Sequence, residues 1–247
     1  MITAADIQGH WERDWIKAPN FEDHTTRVHW AQAGMEYADV RIPVERPNLS
    51  GVRCLGDLST AALLQLAQAE GFAGHVTLEE TVCTWHREIN WHGVPDAPDV
   101  GEISFDDQGR MIENGVHAEY AELWEQRADG PPRVQRFAGQ GYAGLLVETG
   151  TRIVIGIGRA DKPATAPLIE QLASGKMPRG IEMLFDGVHA FGHWEGQKMI
   201  TDLSTQPFSE GRPLVTLSAD VVHWHRIDFV GGASDIVMPI KTSVFKT

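Results

Sequence analysis

The chain has 247 residues, 42% hydrophobic and 22% charged, an ordinary globular composition with enough apolar sequence for one large β domain or two small ones. Its formal net charge is -13 and its 21 Lys and Arg are scattered, which argues against nucleic acid and anionic membrane surfaces as partners. The longest apolar runs, such as Ile153-Val154-Ile155, are far too short to cross a bilayer, and residues 1–6 lack the basic and apolar regions of an export signal.

In chain order, strands are predicted at 9–16, 25–32 and 35–43, followed by a helix at 58–71 with a Ser/Thr start, Ala/Leu/Gln filling and a glycine stop. Strands follow at 72–80, 82–91, 101–105, 110–113 and 115–127. Past a turn-rich stretch, Ala128-Asp129-Gly130-Pro131-Pro132, strands are predicted at 142–149, 151–159, 180–185, 188–195, 198–203, 218–230 and 234–241. A second short helix is predicted at 165–174, closed by Gly175. Tight turns such as Glu148-Thr149-Gly150-Thr151 and Asp186-Gly187 favour antiparallel hairpins over βαβ units. The expected fold is mostly β: barrel-like lobes around an internal pocket, one at 1–130 and one at 131–247, or a single continuous domain. Gly9-His10-Trp11-Glu12 recurs as Gly192-His193-Trp194-Glu195, a hint that the lobes are related.

Only two cysteines occur, Cys54 and Cys83, and neither belongs to a CxxC pair. That disfavours a disulfide framework or a cysteine zinc site and fits a reducing, cytoplasmic compartment, with a single Cys54–Cys83 bridge left open.

Gly9-x-Trp11 near the start of the first strand resembles the opening signature of lipocalins and their wider calycin relatives. The resemblance implies that Trp11 closes one end of a barrel beneath a basic side chain from a late strand, for which Arg226 is the candidate. Longer stretches, Arg27-Val28-His29-Trp30, Tyr37–Pro43, Gly71-Phe72-Ala73-Gly74, Cys83–Ile89 and Ser204–Gly211, are similar to a functionally uncharacterised microbial family. That family has a lipocalin-like or two-barrel fold, and the resemblance implies the fold without implying an activity.

Six of the eight tryptophans adjoin a histidine, and neighbours on a strand point to opposite faces. One member of each pair is therefore expected in a core and the other outside it or in a lumen. The strand 82–91 is the richest: Cys83, Trp85, Arg87, Ile89 and Trp91 share one face, while Thr84, His86, Glu88, Asn90 and His92 share the other. With the second face inward, His86 and Glu88 supply acid/base groups. With the first inward, Arg87 clamps an anionic substrate group. An ion pair on a solvated face is the bland alternative for either set. Tyr37, Asp39 and Arg41 share a face, as do Tyr120, Glu122 and Trp124. Tyr37, Arg41, Trp85, Glu119, Tyr120 and Trp124 are the candidate substrate-binding residues.

His223-x-His225 places two imidazoles on one strand face, a weak metal alternative needing a third ligand from Glu88, His86 or Glu119. There is no His-Glu-x-x-His, P-loop or G-x-S-x-G elbow, and Gly156-Ile157-Gly158 opens no dinucleotide fingerprint, so no cofactor is implied. The expected function is binding of a small, partly apolar organic molecule in a barrel cavity, with His86, Glu88 and Arg87 acting as a cofactor-free lyase, isomerase or hydratase. The alternatives are a non-catalytic carrier and a metal-dependent barrel enzyme built on His223 and His225. A homodimer is left open.

Overall fold

The computed structural model describes residues 1–93, 95 and 97–241. It forms two closed antiparallel barrels of eight strands each. The first is built from β1 (Gly9–Ala18), β3 (Arg27–Ala33), β4 (Glu36–Ile42), β5 (Glu70–Glu79), β6 (Val82–Asn90), β7 (Asp99–Phe105), β8 (Met111–Gly115) and β9 (Ala121–Arg127). It closes where β9 pairs with β1, and β2 (Phe21–Asp23) extends the end of β1 as a short hairpin partner. The second barrel runs from β10 (Pro132–Gly139) through β11 (Tyr142–Thr149), β12 (Arg152–Gly158), β13 (Val188–Glu195), β14 (Lys198–Ser204), β15 (Pro213–Leu217) and β16 (Val221–Ile227) to β17 (Ala233–Lys241). It closes where β17 pairs with β10. The described chain is therefore mostly β, with three short helices, α1 (Ala4–Ile7), α2 (Thr60–Leu66) and α3 (Ala166–Ala173). None of its helices is long and apolar enough to cross a membrane.

Strand alternation sorts the apolar residues into separate layers. Inward residues of the second barrel, among them Phe137, Ile153, Ile155, Ile157, Val222 and Trp224, pack into a solid core. Outward residues of the same strands, Leu145, Val147, Val154 and Phe191, meet Ala31, Ala38, Val40, Ala73 and Ile89 from the outer wall of the first barrel. The barrels thus share a dry junction made mostly of alanines on one side, which lets the walls approach closely. Gly71 belongs to this junction: a Cβ there would stand 2.2 Å from the His189 Cγ.

That contact explains why the helix predicted at 58–71 ends early. Ser59 caps α2, its hydroxyl accepting from the Ala62 N–H at 3.2 Å. The chain then turns into β5, where Gly71 is a close-approach position in the barrel wall, not a helix stop. The strand predicted at 180–185 is instead a 3-10 turn, because Ile181, Leu184 and Phe185 have helical spacing and pack with Leu63, Leu66, Trp91 and Leu172 in a separate apolar cap. The strand predicted at 115–127 begins only at Ala121, since residues 116–120 fold back and Gly115 N–H bonds Tyr120 C=O at 3.0 Å. β2, β10 and β15 were not predicted.

Two further expectations are corrected. Trp11 and Arg226 do not meet: Trp11 is buried in the first barrel with its indole N–H on Ile7 C=O at 2.8 Å, whereas Arg226 lies in the second barrel against Asp186. The repeated Gly-His-Trp-Glu sits on the opening strand of one barrel and the fourth strand of the other, so it marks no equivalent position. The Cys54–Cys83 bridge that the sequence left open is not formed: both cysteines are buried and unbridged. The tryptophan–histidine alternation is as expected in Trp11, Trp30, Trp85, Trp91 and Trp224, all of which are buried.

Candidate functional site

The first barrel is filled unevenly along its axis. One end is apolar: Trp11, Val76, Cys83, Ile103 and Met111 pack together and α1 plugs the opening through Ile7. Above them stand Trp30, Trp85, Trp124 and Tyr37. The opposite end, the mouth, is lined by Asp39, Arg41, Phe72, Arg87, Asp99 and Glu113. Each side chain is aimed inward by strand parity: Tyr37, Asp39 and Arg41 alternate along β4, Cys83, Trp85 and Arg87 along β6, and Glu122 and Trp124 along β9. The lining side chains bound about 300 Å³ including the open mouth, yet only ≈ 10 Å³ can take the centre of a water-sized sphere. As it stands the mouth holds about one water, and a larger guest must displace a guanidinium.

The charges form a linked network. Glu122 accepts from Arg13 Nη1 at 2.6 Å and from Arg41 Nη1 at 3.4 Å, and Arg41 Nε reaches Asp39 at 3.2 Å. Arg87 is ion-paired with Asp99 and lies over the Phe72 ring, 3.7 Å from its centroid. Glu113 has no arginine: its Oε1 accepts a 2.8 Å bond from the Tyr120 hydroxyl. Burial, reinforced by the neighbouring Glu122 and Asp99 charges, pushes the Glu113 carboxyl up to about 8, so it is protonated at neutral pH. Burial likewise raises Asp39 to about 6, with Arg41 opposing the shift. Arg41 stays charged, because the Asp39 and Glu122 carboxylates outweigh its own burial.

Several buried polar atoms in this wall have no protein partner. They are the Tyr37 hydroxyl, the indole nitrogens of Trp30 and Trp124, Arg87 Nε and Glu122 Oε2. Leaving such groups unsatisfied costs about 1–3 kcal/mol each, and their concentration beside one cavity marks it as a place where a guest can bond.

Of the residues singled out from sequence, the structure gathers Tyr37, Arg41, Trp85, Arg87 and Trp124 into this lining, with Tyr120 reaching it through Glu113. His86 and Glu88 are elsewhere, which corrects the expectation that they share a cavity with Arg87. They face outward: His86 bonds Thr77 Oγ1 at 3.0 Å, and Glu88 bonds His75 at 2.8 Å and Arg136 of the second barrel at 2.7 Å. A bulge opposite Ala73 and Gly74 also breaks the predicted face, so that Ile89 turns to the barrel junction. Glu119 is exposed in the 116–120 loop. His223 and His225 lie on the outside of the second barrel, where His225 bonds Thr216 at 2.8 Å and Asp235 at 2.7 Å, and Glu88, His86 and Glu119 do not join them. A wider groove beside His225 and Arg226 has room for ≈ 370 Å³ but no unpaired buried group in its wall.

Residues the sequence reading did not select are Arg13, Trp30, Phe72, Asp99 and Glu113. Strand parity groups Trp85 with Arg87 on one face of β6 without saying that it is the inward one, and Asp99 and Glu113 sit on short strands whose register only the closed barrel fixes.

No family model matches the chain, and no curated protein is similar to it in sequence. Among solved structures it is similar to that of the uncharacterised protein YLR301w of Saccharomyces cerevisiae. The TM-score is 0.48 at 11% identity, covering 93% of this chain and 84% of that one.

Proposed function

We propose that the mouth of the first barrel binds a small, partly apolar organic molecule. The observation that supports this most is the cluster of unpartnered buried polar atoms, Tyr37 Oη, Trp30 Nε1, Trp124 Nε1 and Arg87 Nε, along a single cavity wall. The indoles and Phe72 offer flat apolar contact, while the indole and phenol groups call for hydrogen-bond acceptors on the guest. Carboxyl groups at Asp39, Asp99 and Glu122 already pair with Arg41, Arg87 and Arg13, and Glu113 adds a further carboxyl without a guanidinium, so the site favours a neutral or cationic guest over an anion. The test is a calorimetric screen of small acceptor-bearing aromatic and heterocyclic compounds. Binding that Tyr37→Phe and Trp124→Phe weaken together supports the reading, and binders indifferent to both substitutions refute it.

A second reading, cofactor-free acid/base chemistry of the lyase, isomerase or hydratase type, draws support from Glu113. A protonated carboxyl bonded to Tyr120 beside an open mouth is suited to donate a proton, the role the sequence reading gave to His86 and Glu88. Loss of turnover in Glu113→Gln with binding retained would separate this from a pure carrier. The calycin-like assignment of the first barrel belongs with these proposals and rests on Gly9-x-Trp11 opening β1. So does a cytoplasmic location, which two buried, unbridged cysteines favour.

A further inference from the structure

On the outer wall of the first barrel, away from the mouth, His10 and Glu12 alternate along β1, and His29 of β3 is the direct cross-strand partner of Glu12. Strand parity therefore puts all three on one face, and that face is covered by the second barrel. The His29 ring stacks on Phe191 with centroids 3.8 Å apart, and His10 stacks on the same ring at 5.2 Å. Among the described residues, these three are the group of metal-ligating side chains whose donor atoms all lie within 4.8 Å of one another.

The spacings have the dimensions of a coordination shell. His10 Nε2 stands 3.0 Å from His29 Nδ1, and His29 Nδ1 stands 3.6 Å from Glu12 Oε1. Two ligands bonded at 2.0–2.1 Å to a tetrahedral ion are separated by about 3.3 Å, so both distances fit around one small divalent cation. The surroundings support the same reading. His10 Nδ1 lies 2.5 Å from Asp129 Oδ2, and a carboxylate there fixes the tautomer that leaves Nε2 with its lone pair toward His29. Glu12 Oε2 is held by Arg127 Nη2 at 2.7 Å, which leaves Oε1 for the imidazoles. His10 is 2% exposed, so its placement is set by packing and not by a mobile surface side chain.

We propose that His10 Nε2, His29 Nδ1 and Glu12 Oε1 bind a divalent transition-metal ion of the Zn²⁺ type, with Asp129 orienting His10. Imidazole and carboxylate donors suit Zn²⁺ and its neighbours better than Mg²⁺ or Ca²⁺. Three protein ligands leave a fourth position for water or a substrate atom. Asp129 belongs to the connection between the barrels and Phe191 to the second one, so a bound ion ties the linker to the wall it crosses. The positive charges of Arg27, Arg127 and Arg152 nearby oppose a cation, and Glu12 and Asp129 offset two of them.

The test uses the untagged full-length chain, stripped with a chelator and titrated with Co²⁺ and then Zn²⁺. The expected result is one Co²⁺ per chain, with the visible absorption of a low-coordinate site, displaced by Zn²⁺. Asp129→Asn should weaken binding about 10- to 100-fold, and His10→Ala or His29→Ala by more. Should those two variants fail to fold, Glu12→Ala, at a part-exposed position, supplies the same comparison. His75→Ala with His86→Ala removes another stacked histidine pair, 4.5 Å apart, and should leave the affinity unchanged. Absence of stoichiometric Co²⁺ binding at micromolar concentration, or equal affinity in wild type and Glu12→Ala, would overturn the proposal.

Discussion

The Tyr120 hydroxyl donates a 2.8 Å hydrogen bond to Glu113 Oε1, joining the returning 116–120 loop to the floor of a charged mouth. Glu113 is buried, faces Asp99 and Glu122 and has no guanidinium of its own, which is why it keeps its proton at neutral pH.

This has a consequence for stability. Glu113 titrates at about 8 in the folded chain and near its ordinary value of 4.5 when unfolded. A group raised in this way contributes stability that is fully present below pH 4.5 and is lost as pH rises through 8. Each pH unit between those limits removes up to about 1.4 kcal/mol. Urea denaturation of wild type and Glu113→Gln from pH 5 to 9 should therefore show a steeper decline in the wild type. Parallel pH profiles would contradict the assignment.

Removing Arg41 should be severe. Its guanidinium serves both Asp39 and Glu122, and deleting one partner of a buried ionic group typically costs about 3–5 kcal/mol because the other charge remains. Arg41→Ala is expected to lose stability in that range. Arg41→Ala with Asp39→Asn should recover part of it. If the single and double variants are equally unstable, the pairing is not what matters at Arg41.

The junction between the barrels gives a third prediction. A methyl group at Gly71 would collide with the His189 ring, so Gly71→Ala should cost about 1–3 kcal/mol by overpacking. In His189→Ala the ring is gone but the Cβ, 2.3 Å from the added methyl, remains, so the same glycine change should cost less than in the wild type without becoming neutral. A double-mutant cycle measures this directly. Additive effects would mean that the walls separate easily at this point.

How much of this was legible beforehand follows from strand parity. Tyr37, Asp39 and Arg41 were assigned one face, and they do line one cavity, because period-two alternation survives along an unbroken strand. On β6 the same rule correctly grouped Cys83, Trp85 and Arg87 but could not say which face was inward. It failed at Ile89, where a bulge adds a residue that no sequence pattern announced. Tyr120 was placed beside Trp124 by continuing β9 too far back, and it reaches the mouth by a loop instead. Asp99 and Glu113 depend on barrel closure, a non-local fact. The cluster of His10, Glu12 and His29 was visible only as parity on two separate strands, since its meaning depends on their register.

The outward placement of His86 and Glu88 also makes a clear prediction. Their partners are Thr77, His75 and Arg136, part-exposed contacts worth about 1 kcal/mol or less each. His86→Ala and Glu88→Gln should leave the affinity of any mouth ligand within about twofold, a free-energy change smaller than one such contact. A larger loss in either variant would return the site to the outer face.

Binding of small molecules at the mouth of the first barrel would be reported by the indole N–H signals of the eight tryptophans. A ¹H–¹⁵N spectrum of the full chain, with Trp30 and Trp124 assigned by substitution to Phe, would be followed during a fragment titration. Bound fragments should shift the Trp30 and Trp124 signals while leaving those of Trp194 and Trp224 in place. Fragments that bind without moving Trp30 or Trp124 would contradict binding at the mouth.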